Sequence, residues 1–523
     1  MRSNALSRRT ESCGLSEKGT VRGNHSDMAI QDRPNILWFC ADGQRYDTIH
    51  ALNSPAARTP TLDRLLERGV CFTQAYCQNP LCTPSRASFM TGRYPSTTHV
   101  YRNGHPRFPS SEVLVSRLMA DAGYDCGLIG KLHLSSSKYG ERRYDDGYRV
   151  FHHSNLQFPD EADEQNQYFH WLRDEKGVDP YELYENHPDF CGPGVPAELT
   201  QVRWCSEMAT RFITEQRTGP WMLNVNPFAP HPPFTPPPEF LAHFDPADVP
   251  PPLFRDEDLE RQRDFLNIRA QKPEAVNPFG PMPEEDEWTT DSKTSRTYMA
   301  PDQFNGQTIK AAYYAMIEHI DHELGRIIEA LEQSDQLDNT IILFHSDHGD
   351  MLGDHGLLFK GSRFFEGAVH VPLIFACPQR FQSGLQSQAL VELVDLAPTL
   401  LDAAGLDVPG AMMGQSLLPI LNGQADPSVH KSHVICDFYD SLGYSPVDVP
   451  TQATMTFDGR YKMVIYHREG DLGELFDLDE DPGEFVNLWN EPTLESFKLE
   501  RMRAHIDAFM STISPGLDRV AFY

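Results

Sequence analysis

No apolar stretch in these 523 residues approaches the length needed to cross a bilayer, so no membrane partner is expected. Basic residues are also scarce. Lys and Arg number 45 against 75 Asp and Glu, and a formal charge of −30 argues against a nucleic-acid surface. An anionic small molecule is still admissible, because a pocket can be locally positive inside an acidic protein. The opening residues, MRSNALSRRTESCGLSEKGTVRGNHSD, lack the apolar centre of a secretory signal. They read as a flexible tail, residues 1–32, on a cytoplasmic protein, with Met28 as an alternative natural start. The ten cysteines include no CxxC pair and no zinc-knuckle spacing. With no secretory signal, that favours reduced thiols. No internal repeat is present.

What is there is ordinary globular chain, 40% hydrophobic and long enough for two domains. Asn35–Ala41 (NILWFCA) is a short apolar run of the kind buried on both faces of a parallel sheet. Pro60–Gly69 reads as a helix with Leu62, Leu65 and Leu66 on one face. Val70–Tyr76 and Asp125–Ile129 are β-like, Glu112–Ala122 is helical, and Trp221–Val225 and Thr340–His345 are further buried strands. Ile309–Ser334 is a long amphipathic helix carrying Ile317, Ile320, Leu324, Ile327, Ile328 and Leu331. Such alternation predicts an α/β fold, a large mostly parallel sheet flanked by helices. The stretch from about 158 to 304, with its PHPPFTPPPEF, is expected to run as long irregular excursions over the strand ends. The catalytic domain is thus assigned to 33–425. Residues 426–523, with Tyr461–Tyr466 and Glu474–Leu478 as short antiparallel strands and a terminal helix, form a smaller α+β domain.

Three clusters carry chemistry. Cys82-Thr83-Pro84-Ser85-Arg86 places a cysteine at a helix start, with Thr83 as cap, Pro84 as first helical residue and Gly92 as stop. Free N–H groups and the helix dipole there favour an anion. Asp42 at the end of the first strand and Asp347-His348 at the end of TIILFHSDHG offer two carboxylates and an imidazole for a metal. Lys131 and His133 lie at i and i+2, on one face of an extended segment. His231 opens HPPF, and Lys360 follows the metal pair.

At Cys82–Arg86 the chain resembles the sulfatase family of the alkaline phosphatase superfamily, and the likeness runs from about Arg33 to ELFDLDEDPGEFVNLWN. The resemblance implies an arylsulfatase-like hydrolase of small-molecule sulfate monoesters. In that family the motif cysteine is oxidised to formylglycine by a formylglycine-generating enzyme, and the hydrated aldehyde is the nucleophile. It also implies one divalent ion held by Asp42, Cys82, Asp347 and His348. Arg86 would steady the formylglycine, and Lys131, His231 and Lys360, with Asn103 in YRNG, would surround the sulfate. Asp347 would deprotonate the nucleophile, His231 with Lys360 would act as general acid, and His133 would accept a later proton. The pattern departs in two places. Gly43 then Gln44 stand where Asp or Gln usually follows the first Asp, leaving Gln44 or water to supply an oxygen, and His348 replaces Asn. An imidazole suits manganese better than calcium, so manganese, calcium and magnesium all stay open. Two alternatives also stand: a phosphonate monoester or phosphodiester hydrolase on the same scaffold, and a non-catalytic binding protein with unmodified Cys82. A homo-oligomer is compatible with the sequence.

Overall fold

A computed structural model describes residues 28–136, 141, 145–157, 165–188, 190–266, 268, 274–283, 301–439 and 451–513. The strands are β1 (Asn35–Ala41), β2 (Gly69–Phe72), β3 (Ala75–Tyr76), β4 (Asp125–Gly130), β5 (Tyr148–His153), β6 (Trp221–Asn226), β7 (Thr340–Ser346), β8 (Leu373–Ala376), β9 (Leu385–Ser387), β10 (Val391–Glu392), β11 (Val434–Tyr439), β12 (Gln452–Phe457), β13 (Tyr461–His467) and β14 (Gly473–Asp477). Eight form one sheet in the order β5-β4-β6-β1-β7-β8-β2-β9, parallel throughout from β5 to β7. β8 runs antiparallel to both neighbours, so the sheet is mostly parallel as expected.

Both faces of this sheet are dry, which explains the unbroken apolar runs. Along β1, Ile36, Trp38 and Cys40 enter one core and Leu37 and Phe39 the other, following the two-residue period of a strand. The Gly306–Gln333 helix covers the second face with Ile317, Ile320, Leu324, Ile327, Ile328 and Leu331. Gln201–Thr214 packs beside it, capped where the Thr200 hydroxyl accepts from Arg203 N. That helix and β6 lie inside the 158–304 span read as irregular. Residues 158–164, 189, 267, 269–273 and 284–300 of the span lie outside the described residues.

A separate four-stranded antiparallel sheet, β11-β12-β13-β14, is followed by the Glu495–Ser511 helix. It packs on the main domain through apolar side chains such as Phe438, Met455 and Tyr466 and through polar contacts. Asp437 N donates to Gln78 O (2.9 Å), and Lys462 Nζ donates to Glu366 (2.6 Å), Glu484 (2.8 Å) and Phe364 O (3.0 Å).

Candidate active site

Four adjacent parallel strands deliver the site at their carboxyl ends, where open α/β sheets bind ligands. Asp42 follows β1, Lys131 follows β4, Phe228 and His231 follow β6, and Asp347 and His348 follow β7. Gly130 makes the close approach of β4 to β6 possible. A Cβ there would lie 2.1 Å from Asn226 O, whereas the bare backbone lets Lys131 N donate to that oxygen at 2.8 Å.

Cys82 is the first residue of the Cys82–Thr91 helix and is buried. Its Sγ lies 3.1 Å from Lys360 Nζ, 3.2 Å from His348 Nε2, 3.6 Å from Asp42 Oδ1 and 3.8 Å from Lys131 Nζ. His133 and His231 also interact with it. Lys131 Nζ contacts Asp42 Oδ2 at 2.5 Å and lies over the Phe228 ring. From the same helix Arg86 reaches back, pairing with Asp347 (2.9 Å) and Asp42 (3.3 Å) and donating to Lys131 O (3.0 Å). One guanidinium therefore ties three strand ends to the Cys82–Thr91 helix.

The charges shift accordingly. Burial opposes a Cys82 thiolate, but Lys131, Lys360 and His348 outweigh it and hold the thiol well below its ordinary range. Burial and the Cys82 charge push Asp42 up, yet Lys131, His231 and Lys360 keep its carboxyl below the usual range. Burial brings His133 and His231 down to about 4, with a neighbouring lysine assisting in each case. Both are neutral imidazoles at neutral pH. Burial lifts Asp347 against the pull of Arg86; burial also opposes a charged His348, but Asp347 raises it to about 9.

Asp42, Cys82, Asp347 and His348 each present a donor atom, all within 4.8 Å of one another. The donor set fits a divalent ion. His348 Nδ1 donates to Gly349 O (2.8 Å), so Nε2 faces the cluster, and a bound ion would take the place of the Nε2 proton. Asp347 Oδ1 is fixed by the N–H groups of Gly43 and His348, both at 3.0 Å.

The Sulfatase family profile matches residues 34–406, most of the chain. The chain belongs to the sulfatase family. A second profile, N-sulphoglucosamine sulphohydrolase, C-terminal, matches residues 353–510. The sulfatase chain is 28% identical to an arylsulfatase of Clostridium perfringens over 88% of its length and 90% of the relative's. It is 29% identical to a choline-sulfatase of Rhizobium meliloti, covering 91% and 87%. Its fold also superposes on the crystal structure of the phosphonate monoester hydrolase of Agrobacterium radiobacter with a TM-score of 0.76, at 25% identity, over 93% and 97% of the two chains. It is a hydrolase, and its scaffold is shared with phosphonate hydrolases.

Within this sulfatase the expected residues converge, with three local differences from the sequence reading. Thr83 is not the cap: Cys82 itself opens the helix, Pro84 is its third residue, and Asn103 Oδ1 accepts from Thr83 N at 3.0 Å. Asn103, half-buried, thus closes the helix start from outside. Lys131 and His133 do not lie on an extended segment, because the chain leaves β4 at Gly130 and His133 adopts φ 55°. A left-handed turn, rather than strand alternation, brings His133 to the sulfur. At Gly43 (φ 82°) an added Cβ would sit 3.4 Å from His348 Cε1. That is ordinary contact, so the positive φ rather than a want of room favours glycine at 43. Gln44 Nε2 donates to Thr48 Oγ1 (3.2 Å), and its Oε1 is buried without a partner.

Two supporting residues escaped the sequence reading. Tyr313 Oη donates to Gly43 O (2.6 Å) and accepts from Arg45 N (2.9 Å). Arg45 in turn donates to Asp350 O (2.9 Å) and Asp354 (2.7 Å), holding the loop that carries Lys360. Tyr313 lies on the long helix four residues before Ile317, and only the fold brings its hydroxyl to the turn.

Proposed function

We propose that this chain hydrolyses sulfate monoesters with residue 82 as formylglycine, produced by a formylglycine-generating enzyme. The observation that carries the choice of sulfate is the pair Lys131 and His133 against Cys82. By family resemblance, phosphonate hydrolases carry uncharged hydroxyl side chains in that segment. Formylglycine, as its hydrate, would supply an oxygen nucleophile for sulfur and a second hydroxyl whose deprotonation expels sulfate and restores the aldehyde. Asp42, residue 82, Asp347 and His348 would hold one manganese, calcium or magnesium ion, which supplies positive charge beside the reacting oxygens.

The chain's own side chains do the rest. Lys131 and Lys360, 3.8 and 3.1 Å from the residue 82 sulfur, face the developing negative charge in a buried site where such charges act strongly. Asp347, the carboxylate raised by burial, accepts the nucleophile's proton. Lys360, kept protonated by its acidic neighbours, donates to the leaving oxygen beside neutral His231, and neutral His133 accepts the proton released in the final collapse. Arg86 positions Asp42 and Asp347.

A second reading, phosphonate monoester hydrolysis, is favoured by the structural similarity to the Agrobacterium enzyme. One comparison separates the two: kcat/KM for an aryl sulfate and for the matching aryl phosphonate monoester, on protein of verified residue-82 conversion. The sulfate is expected to be preferred. A phosphonate preference of tenfold or more, about 1.4 kcal/mol in transition-state binding, makes the second reading correct.

A further inference from the structure

The chain averages many acids, 75 in 523 residues, yet residues 68–111 contain neither Asp nor Glu. This carboxylate-free run includes the nucleophile helix and the loop Tyr101-Arg102-Asn103-Gly104-His105. The loop is held against the site on three sides. Asn103 Oδ1 accepts from Thr83 N, next to Cys82 (3.0 Å), and Ser136 N, three residues beyond His133, donates to His105 O (2.6 Å). On the third side the Tyr101 ring meets Tyr439, at the end of β11, edge-on at 5.8 Å. Both tyrosines are half-buried, offering partly open ring surface beside the nucleophile. Arg102 is exposed, its guanidinium 5.8 Å from the Tyr101 ring, and it makes no ion pair among the described residues.

Among the described residues, the carboxyl on β11 beside this wall does not cancel that charge. Asp437, two residues before Tyr439 and 3.5 Å from Asn79 Nδ2, is buried, and burial pushes it up to about 8 against the pull of Asn79 and Tyr439. It is predominantly neutral at neutral pH. His105, lowered by burial and by Arg102, is also neutral, so among the described residues of the loop from Tyr101 to His105 and of β11, Arg102 carries the charge.

We propose that the Tyr101–His105 loop and Tyr439 form the subsite for the alcohol half of the substrate, and that Arg102 selects alcohols bearing a second anionic group. This rests on the sulfatase reading and names its substrate class: a ring-bearing sulfate ester with an additional carboxylate or sulfate. The ring lies along the two tyrosines while the second anion meets the unpaired guanidinium.

The test uses full-length protein with residue 82 converted, and three aryl sulfates matched in leaving-group acidity: one neutral on the ring, one with a ring carboxylate, one with a second sulfate. Wild type is expected to favour at least one anionic ester about tenfold in kcat/KM, through KM, with the advantage shrinking as salt rises. The two anionic arms tell which group is read. Arg102→Gln is expected to bring the anionic-to-neutral ratio close to one, and Arg102→Lys to retain part of it. A wild-type ratio of one or below, or a ratio that Arg102→Gln leaves intact, overturns the subsite while the sulfatase reading stands. Sulfate release from none of the three overturns that reading, and the subsite with it.

Discussion

At Cys82 two lysines, three imidazoles and two carboxylates converge on one sulfur, and the contacts divide the work among them. Lys131 sits over Phe228 with its ammonium on Asp42 and near Sγ. Lys131→Ala is expected to lower kcat by about 10²–10³, the range for losing one preorganised donor to a developing charge. Steady-state kinetics checks this, and an unchanged kcat removes Lys131 from the machinery. Replacing Lys131 and His133 together by Thr should instead shrink or invert the sulfate-to-phosphonate ratio. At the metal cluster, His348→Asn trades a nitrogen for an oxygen. Thermal-shift titration of that variant should show preference moving from manganese toward calcium. An unchanged metal order would count against His348 as a ligand.

The elements that the sequence made legible are those whose periodicity comes from burial. β1, β7 and the Gly306–Gln333 helix stand close to where apolar spacing put them, because each has a dry face or two. Asp42, Asp347 and Lys131 were legible for the same reason, as polar residues at the ends of apolar runs. The Gln201–Thr214 helix was hidden by the Pro- and acid-rich chain around it, although Val202, Cys205, Ala209 and Phe212 mark its buried face. β5 mixes exposed, half-buried and buried positions and β12 half-buried and buried ones, without a clean alternation, and both carry a weaker signal. His133 was misread because a left-handed residue has no pattern of its own. The terminal helix gives a testable pH dependence. His505 bridges Thr454 and Thr456 hydroxyls at 2.8 and 2.9 Å, and burial, with His467 and His433 assisting, lowers it from 6.5 to about 3. The unfolded chain takes up this proton first. Its contribution is therefore complete above pH 6.5 and lost as pH falls toward 3, by about 1.4 kcal/mol per unit. His505→Gln should flatten that part of the stability–pH curve. Equal acid sensitivity in wild type and variant would contradict the assignment.

For the whole molecule, the consequential feature is that the antiparallel sheet is fastened to the catalytic core by buried charge. Lys462, fully buried on β13, satisfies Glu366 and Glu484 from two other segments. Removing it strands two carboxylates away from water. Lys462→Met is expected to cost about 3–5 kcal/mol, read as a lower midpoint in denaturant unfolding. A variant as stable as wild type would mean that the junction draws little from this lysine. The sheet also bears on function, since β11 packs against the residues just before Cys82 and carries Tyr439 to the proposed subsite.

The central claim is that residue 82 is the nucleophile in its oxidised form. Peptide mass spectrometry of the Cys82–Arg86 region, on protein from a host containing the maturation enzyme, tests it most directly. The expected spectrum shows the thiol lost and a carbonyl gained at residue 82, with turnover rising in proportion to the converted fraction and absent in Cys82→Ala. Full turnover from protein whose Cys82 is an unmodified thiol would contradict the account.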